Sequence, residues 1–192
     1  MIAEAGLAAL WFAAALAALQ LALAAVGTRR SLVAASGSSA GTEEGELTRQ
    51  ILAAVRPVAV VQGLLAALAL ALLITCFVRS DMSVLLVAEN SHSDKPLLYK
   101  FAGTWGNHEG SMLLWVTILG LAGGAVAILE HRLARPTLVA TLGAQAAIAL
   151  GFYAFLLLSS NPFARLDPAP ADGNGLNPLL QDPGLAFHPP TL

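Results

Sequence analysis

Charge is what this sequence has least of: 22 of 192 residues are Lys, Arg, Asp or Glu, and the formal net charge is −2. No basic tract occurs, so the chain offers neither an extended nucleic-acid surface nor a polybasic lipid anchor. Cysteine is nearly absent too. The single Cys76 lies inside an apolar run and has no partner for an internal disulfide. Without a C-x-x-C there is no redox pair, and without C-x-x-C-H there is no covalent haem attachment to this chain. What remains is apolar: 57% of residues are hydrophobic, which removes the chain from the ordinary soluble class.

Crossing a hydrocarbon core takes roughly 20 helical residues. Four runs are long enough: 5–26, 57–78, 111–129 and 138–158. The expected fold is therefore all-α, a single polytopic membrane domain over 1–192 with four transmembrane helices. The first run exceeds a typical signal-peptide core and follows Glu4 instead of Lys or Arg, so it reads as a retained helix. Residues 27–56 read as a flexible inner loop, because "AASGSSAGTEEGE" cannot build a core. Residues 79–110 form an outer loop and 159–192 an outer tail. This sidedness rests on Arg29, Arg30, Arg49, Arg56, Arg132 and Arg135, which collect on the other two loops.

Small residues recur at four-residue spacing, with Gly120 and Gly124 on the third span and Gly143 and Ala147 on the fourth. Such spacing lets helix backbones approach closely in lipid. A transporter would be expected to carry ionisable groups deep in its spans, yet only Gln20 and Gln145 are conspicuous there.

The outer loop holds the chemistry. Leu97, Leu98, Phe101 and Trp105 share a face if this segment is helical, as in a short amphipathic helix lying in the membrane interface. Then comes "TWGNHEGSMLLW". His108 and Glu109 stand at the start of the third span, where free backbone N–H groups favour a carboxylate. Two readings follow. In one, Trp105 and Trp115 are interfacial anchors and Glu109 complements a helix end. In the other, Trp105, His108 and Glu109 line a place for a bound group at the membrane surface.

The tail holds seven of the ten prolines. Leu176, Leu179, Leu180, Leu185 and Phe187 alternate with turn residues as in an ordered, docked segment, against the simpler reading of a disordered terminus. His188 precedes Pro189 and Pro190, which preset an extended backbone and present the imidazole rigidly. A lone histidine is more often structural, and on these residues alone both roles stay open.

Taken in order, "SDMSVLLVAENSHSDKPLLYKFAGTWGNHEGSMLLWV", "SSNPF" and "GLNPLLQDPGLAFHPP" resemble the N-terminal region of the CcmF-type cytochrome c maturation proteins, the membrane haem lyase subunit. The likeness runs from Asp81 to Leu192, while the first two helices match only in kind and the segment around Gly37 to Glu46 looks like an insertion. Asn107 falls at a variable position, and His92 stands where the family more often has a small polar residue.

The resemblance implies a multi-pass protein of the bacterial inner membrane with its N-terminus and tail in the periplasm. It implies haem b as substrate, received from a CcmE-type haem chaperone. Partners would be CcmH- and CcmI-type proteins, apocytochrome c and membrane lipid, with no nucleic acid. His188, in "FHPP", takes the place of a haem iron ligand, and Trp105, His108 and Glu109 belong to the "WGxHEGS" element near the haem-handling mouth. The family continues through many further helices, so this chain alone is expected not to complete the ligation reaction. The alternative is a non-enzymatic scaffold that binds maturation partners without contacting haem.

Overall fold

The computed structural model describes residues 1–35, 42–175, 177–178 and 184. Over these the chain is helical: α1 Ile2–Ala35, α2 Thr42–Val78, α3 Leu85–Asn90, α4 Leu97–Gly103, α5 His108–Leu129 and α6 Arg135–Leu158. No strand occurs among the described residues; an isolated antiparallel bridge joins Val84 to Arg165. Helices α1, α2, α5 and α6 are each long and apolar enough to cross a membrane.

Two of the four outrun the spans read from hydropathy. The 34 residues of α1 make a rod of about 51 Å, against a hydrocarbon core of about 30 Å. Residues 27–35 and 42–56, expected as loop, are helical here. Hydropathy registers which side chains lipid tolerates, whereas an established helix adds each further residue at little cost whatever its polarity. Helix α2 likewise runs through Pro57. That residue has no N–H for the carbonyl one turn back, a loss that membrane helices accommodate.

The four long helices form a bundle in which α1 packs on α2 and α6, and α2 packs on α5; the α5–α6 contact is thinner. The start of α1, the end of α2, the start of α5 and the end of α6 meet at one end, here called the tail-bearing end. There the Phe163 ring lies over Gly6, and Arg165 reaches Glu4 at 2.5 Å. At the opposite, arginine-bearing end, Arg56 donates to the Glu130 carbonyl at 2.5 Å. The Glu130 carboxylate accepts from the Arg132 and Leu133 N–H groups at 2.6 and 3.0 Å, which closes the turn between α5 and α6.

Backbone contact sets the spacing of α2 and α5. A Cβ on Gly63 would lie 2.5 Å from the Gly120 carbonyl oxygen, and one on Gly120 would lie 3.1 Å from the Gly63 Cα. The Gly120–Gly124 step read from the sequence therefore faces α2, where Gly124 lies against Val60 and Ala59. Two apolar clusters fill the bundle. The larger, toward the tail-bearing end, includes Leu10, Leu73, Phe77, Leu113, Tyr153 and Phe163; the other includes Ala24, Val55, Ala127, Val139 and Leu142.

A polar layer separates them. Gln20 donates to the Leu142 carbonyl at 2.7 Å and to Gln145 Oε1 at 2.8 Å, Gln62 donates to the Tyr153 hydroxyl, and Thr117 donates to the Ala66 carbonyl at 3.2 Å. Amides buried in a bundle remain stable there only with such partners.

Replacing Gly63 by Leu forces α2 from α5 and is expected to cost about 1–3 kcal/mol, read as earlier unfolding in a detergent titration. Gly151→Leu, where nothing lies within 4 Å of the added Cβ, is the matched control and should leave the midpoint in place.

Candidate functional site

The turn between α4 and α5 is built around one glycine and one asparagine. Asn107 is the N-cap of α5 with extended backbone, and its side-chain oxygen accepts from the Gly110 N–H at 2.7 Å. Its amide nitrogen donates back to the Gly103 carbonyl at 2.8 Å. A Cβ on Gly110 would lie 1.5 Å from the Thr104 carbonyl oxygen, so no other residue fits this corner. Ser111 Oγ adds a bond to the Trp105 carbonyl at 2.6 Å. The corner thus fixes how the chain leaves α4 and enters α5.

On that first turn His108 is exposed and Glu109 half-buried. Ser160, just past α6, puts its hydroxyl 3.4 Å from His108 Nδ1 and 3.3 Å from Glu109 Oε1. Phe155 meets the His108 ring edge-to-face at 5.1 Å. Trp105 differs from these two. It is buried and packed edge-to-face against Phe101 at 4.7 Å. Of the residues read from the sequence, then, His108 and Glu109 come together at one hydroxyl, while Trp105 packs against Phe101. His188 lies outside the described residues, as do Leu176, Leu179, Leu180, Leu185 and Phe187.

Among the described residues no group of three His, Cys, Asp or Glu side chains is placed to hold a metal ion. His108 offers at most one imidazole, beside an aromatic edge and a carboxylate that sits in the field of the helix N-terminus. Together these side chains form one rim at the tail-bearing end. The rim is itself apolar: Leu97, Leu98 and Phe101 on α4, and Trp115 on α5, are exposed at this end.

The tail docks beside this site at two points. Ala164 accepts from the Leu85 N–H at 2.9 Å, and Leu166 donates to the Ser83 carbonyl at 2.8 Å. Here the Arg165 guanidinium donates to Glu4 and to the Ser83 hydroxyl. Farther on, Asp172 accepts from the N–H and hydroxyl of Ser93 at 3.0 and 2.5 Å and stands 3.3 Å from His92 Nε2.

Sequence reasoning set aside two residues that the structure puts to use. Asn107 is the helix cap, and an Asn a few residues ahead of an apolar run, with Glu in the first turn after it, was the available signal. His92 is a tail contact; its partner is 80 residues away and left no local trace.

These features define the class first: an all-helical membrane bundle with a glycine-hinged His–Glu rim at one end and a tail docked over the same end. Residues 105–192 match the family model for cytochrome c assembly protein, beginning at Trp105. The chain is 53% identical over 141 residues to the cytochrome c-type biogenesis protein ccl1 of Rhodobacter capsulatus, covering 73% of this chain and 22% of that protein. To the CcmF of Pseudomonas aeruginosa it is 46% identical over 163 residues, 84% of this chain and 24% of the relative. A solved structure titled cytochrome c heme lyase CcmF shares the fold at a TM-score of 0.70 and 22% identity, covering 85% of this chain and 25% of that one.

The chain belongs with the CcmF-type cytochrome c biogenesis proteins and corresponds to their N-terminal part. It spans under a quarter of the length of these curated relatives. The likeness also reaches further than the sequence reading allowed. Asp81 to Leu192 is 112 residues, so an alignment of 163 extends into α1 and α2.

Two outcomes test the local geometry. Asn107→Ala removes the α5 cap and should lower stability by about 1 kcal/mol, with amide exchange quickening first at Gly110. The second concerns Asp172. The Ser93 hydroxyl, then the Gly173 N–H, hold its carboxyl down at about 2, below its ordinary 3.8. A depressed carboxyl stabilises the docked tail fully above its unfolded value, and that contribution is lost as pH falls through the folded one. Exchange at Ser93 and Gly173, corrected for intrinsic rates, should therefore be flat down to about pH 4 and rise between there and about pH 2.

Proposed function

We propose that this chain is the N-terminal part of a membrane haem lyase, acting in cytochrome c biogenesis at the periplasmic face of the bacterial inner membrane. The observation that carries the reading is the convergence, at one end of the bundle, of the His108–Glu109 turn and the docked tail that runs on to His188. In this reading the tail-bearing end faces the periplasm, in keeping with the arginines at the opposite end. Haem b arrives as substrate from a CcmE-type chaperone, and His188 supplies an iron ligand. The rim formed by His108, Glu109, Phe155 and Ser160, backed by Trp105, holds the macrocycle edge near the lipid surface. CcmH- and CcmI-type partners bring the apocytochrome, whose thiols add to the haem vinyl groups.

The chain's own work is binding and orientation. Haem and the apocytochrome thiols bring the reactive groups. The exposed apolar side chains of α4 lie in the interface and give the macrocycle an apolar approach.

With the chain reconstituted alongside the rest of the maturation assembly, His188→Ala should weaken the haem Soret band several-fold, while His108→Ala should alter it less. An unchanged spectrum in His188→Ala would remove the ligand assignment. The scaffold alternative uses the same loops, and crosslinking from position 108 to loaded haem separates the two.

A further inference from the structure

We propose that His108 is the proton acceptor for an incoming protein thiol: Ser160 and Glu109 hold its neutral imidazole with the proton on Nδ1, which leaves the Nε2 lone pair open at the rim. The thiol as substrate rests on the haem-lyase reading above; the state of the ring does not.

The count of donors and acceptors fixes the tautomer. Ser160 Oγ lies 3.4 Å from His108 Nδ1 and 3.3 Å from Glu109 Oε1. A hydroxyl has one proton to give, and a carboxylate can only accept. The Ser160 proton therefore goes to Glu109, and its oxygen is left to accept from Nδ1–H. With the ring proton on Nε2 instead, one hydroxyl proton faces two acceptors and one of the contacts is lost. Glu109 suits the end of this relay, because it lies in the first turn of α5, where the helix end favours negative charge.

The ring is held in this pose from both sides. The edge-to-face contact with Phe155 sets its plane, at 84° between the two rings. The Phe155 carbonyl also accepts from the N–H groups of Ser159 and Ser160 at 3.0 and 3.1 Å. The residue that packs on the imidazole thus places the hydroxyl that bonds it. On the α5 side, the Asn107 cap fixes the backbone from which His108 projects. His108 is exposed, and its Nε2 has no partner among the described residues. An imidazole oriented through one nitrogen and open at the other is arranged to accept a proton or to bind a metal. Among the described residues no group of three metal-ligating side chains forms, so proton transfer is the role this set supports.

The chemistry balances without an oxidant or reductant. The thiolate is the nucleophile, not the thiol. The S–H bond breaks as its proton passes to Nε2, and sulfur bonds to one carbon of the vinyl group. The other vinyl carbon takes the proton from the imidazolium, which returns the ring to its Nδ1–H form. His108 touches the reacting atoms; Ser160 and Glu109 act through it and are positioning residues.

The test has two arms. In the chain isotope-labelled at its histidine nitrogens, NMR at about pH 8.5, where an ordinary imidazole is neutral, should show His108 mainly as Nδ1–H. Ser160→Ala should shift it toward Nε2–H, and Ser160→Thr, which keeps the hydroxyl, should restore it. An Nε2–H ring in the unaltered chain, or one indifferent to Ser160→Ala, overturns the proposal. In the second arm, single-turnover haem attachment by the reconstituted assembly should slow about 100-fold at about pH 7 in His108→Ala. That deficit should shrink about tenfold by about pH 9, because a thiol ionises unaided near 8.5. Ser160→Ala should show a smaller deficit with the same trend. A deficit that ignores pH marks a structural role and overturns the proposal, as does a Soret maximum that moves in His108→Ala as it does in His188→Ala. Attachment that does not depend on this chain removes the haem-lyase reading and the thiol with it, while the NMR arm still decides the state of the ring.

Discussion

Two glycines in backbone contact, Gly63 on α2 and Gly120 on α5, are the constraint on which the other positions depend. Lipid tails are as apolar as leucine, so burying apolar side chains between membrane helices gains little, and close packing must hold the bundle together. Where the α2 and α5 backbones touch, neither helix has slack to shift along or around the other. Helix α5 is thereby seated on α2 at Gly120 and Gly124, and its first turn, with His108 and Glu109, stands at the tail-bearing end.

From there the structure is a series of short polar ties at one rim. Gly110 and Asn107 bend the chain into α5, Ser160 closes from α6 onto His108 and Glu109, and Arg165 joins the tail to the start of α1. Each tie is weak alone, being exposed or half-exposed. Together they bring four chain segments to one face. That face carries both the His108 imidazole and the exposed apolar side chains of α4.

How far this was legible depends on the range of the signal. Helix α4 could be read from Leu97, Leu98 and Phe101, because a helical face repeats locally, whereas Trp105, expected on the same face, falls beyond the end of the helix and is buried. The four spans could be read from apolar runs, but the ends of α1 and α2 could not, since helix persistence leaves no mark in hydropathy. Glu109 at a helix start was a local inference and holds; its meeting with Ser160, 51 positions on, was not. His92 looked incidental because its partner, Asp172, comes near only once the tail is placed, whereas the cap at Asn107, three residues before Gly110, was a local signal passed over.

Composition and spacing by themselves determined that this is a helical membrane chain with its reactive side chains gathered between the second and third spans and in the tail. Both follow from one-dimensional patterns: the cost of charge in hydrocarbon and the period of a helix. Only the tertiary structure decided that α2 and α5 touch at Gly63 and Gly120, that Gln20 pairs with Gln145 across the bundle, and that the tail returns to lie on the α3 segment. Those pairings depend on which helix faces meet after the chain has turned back on itself, and no property of a single segment records that.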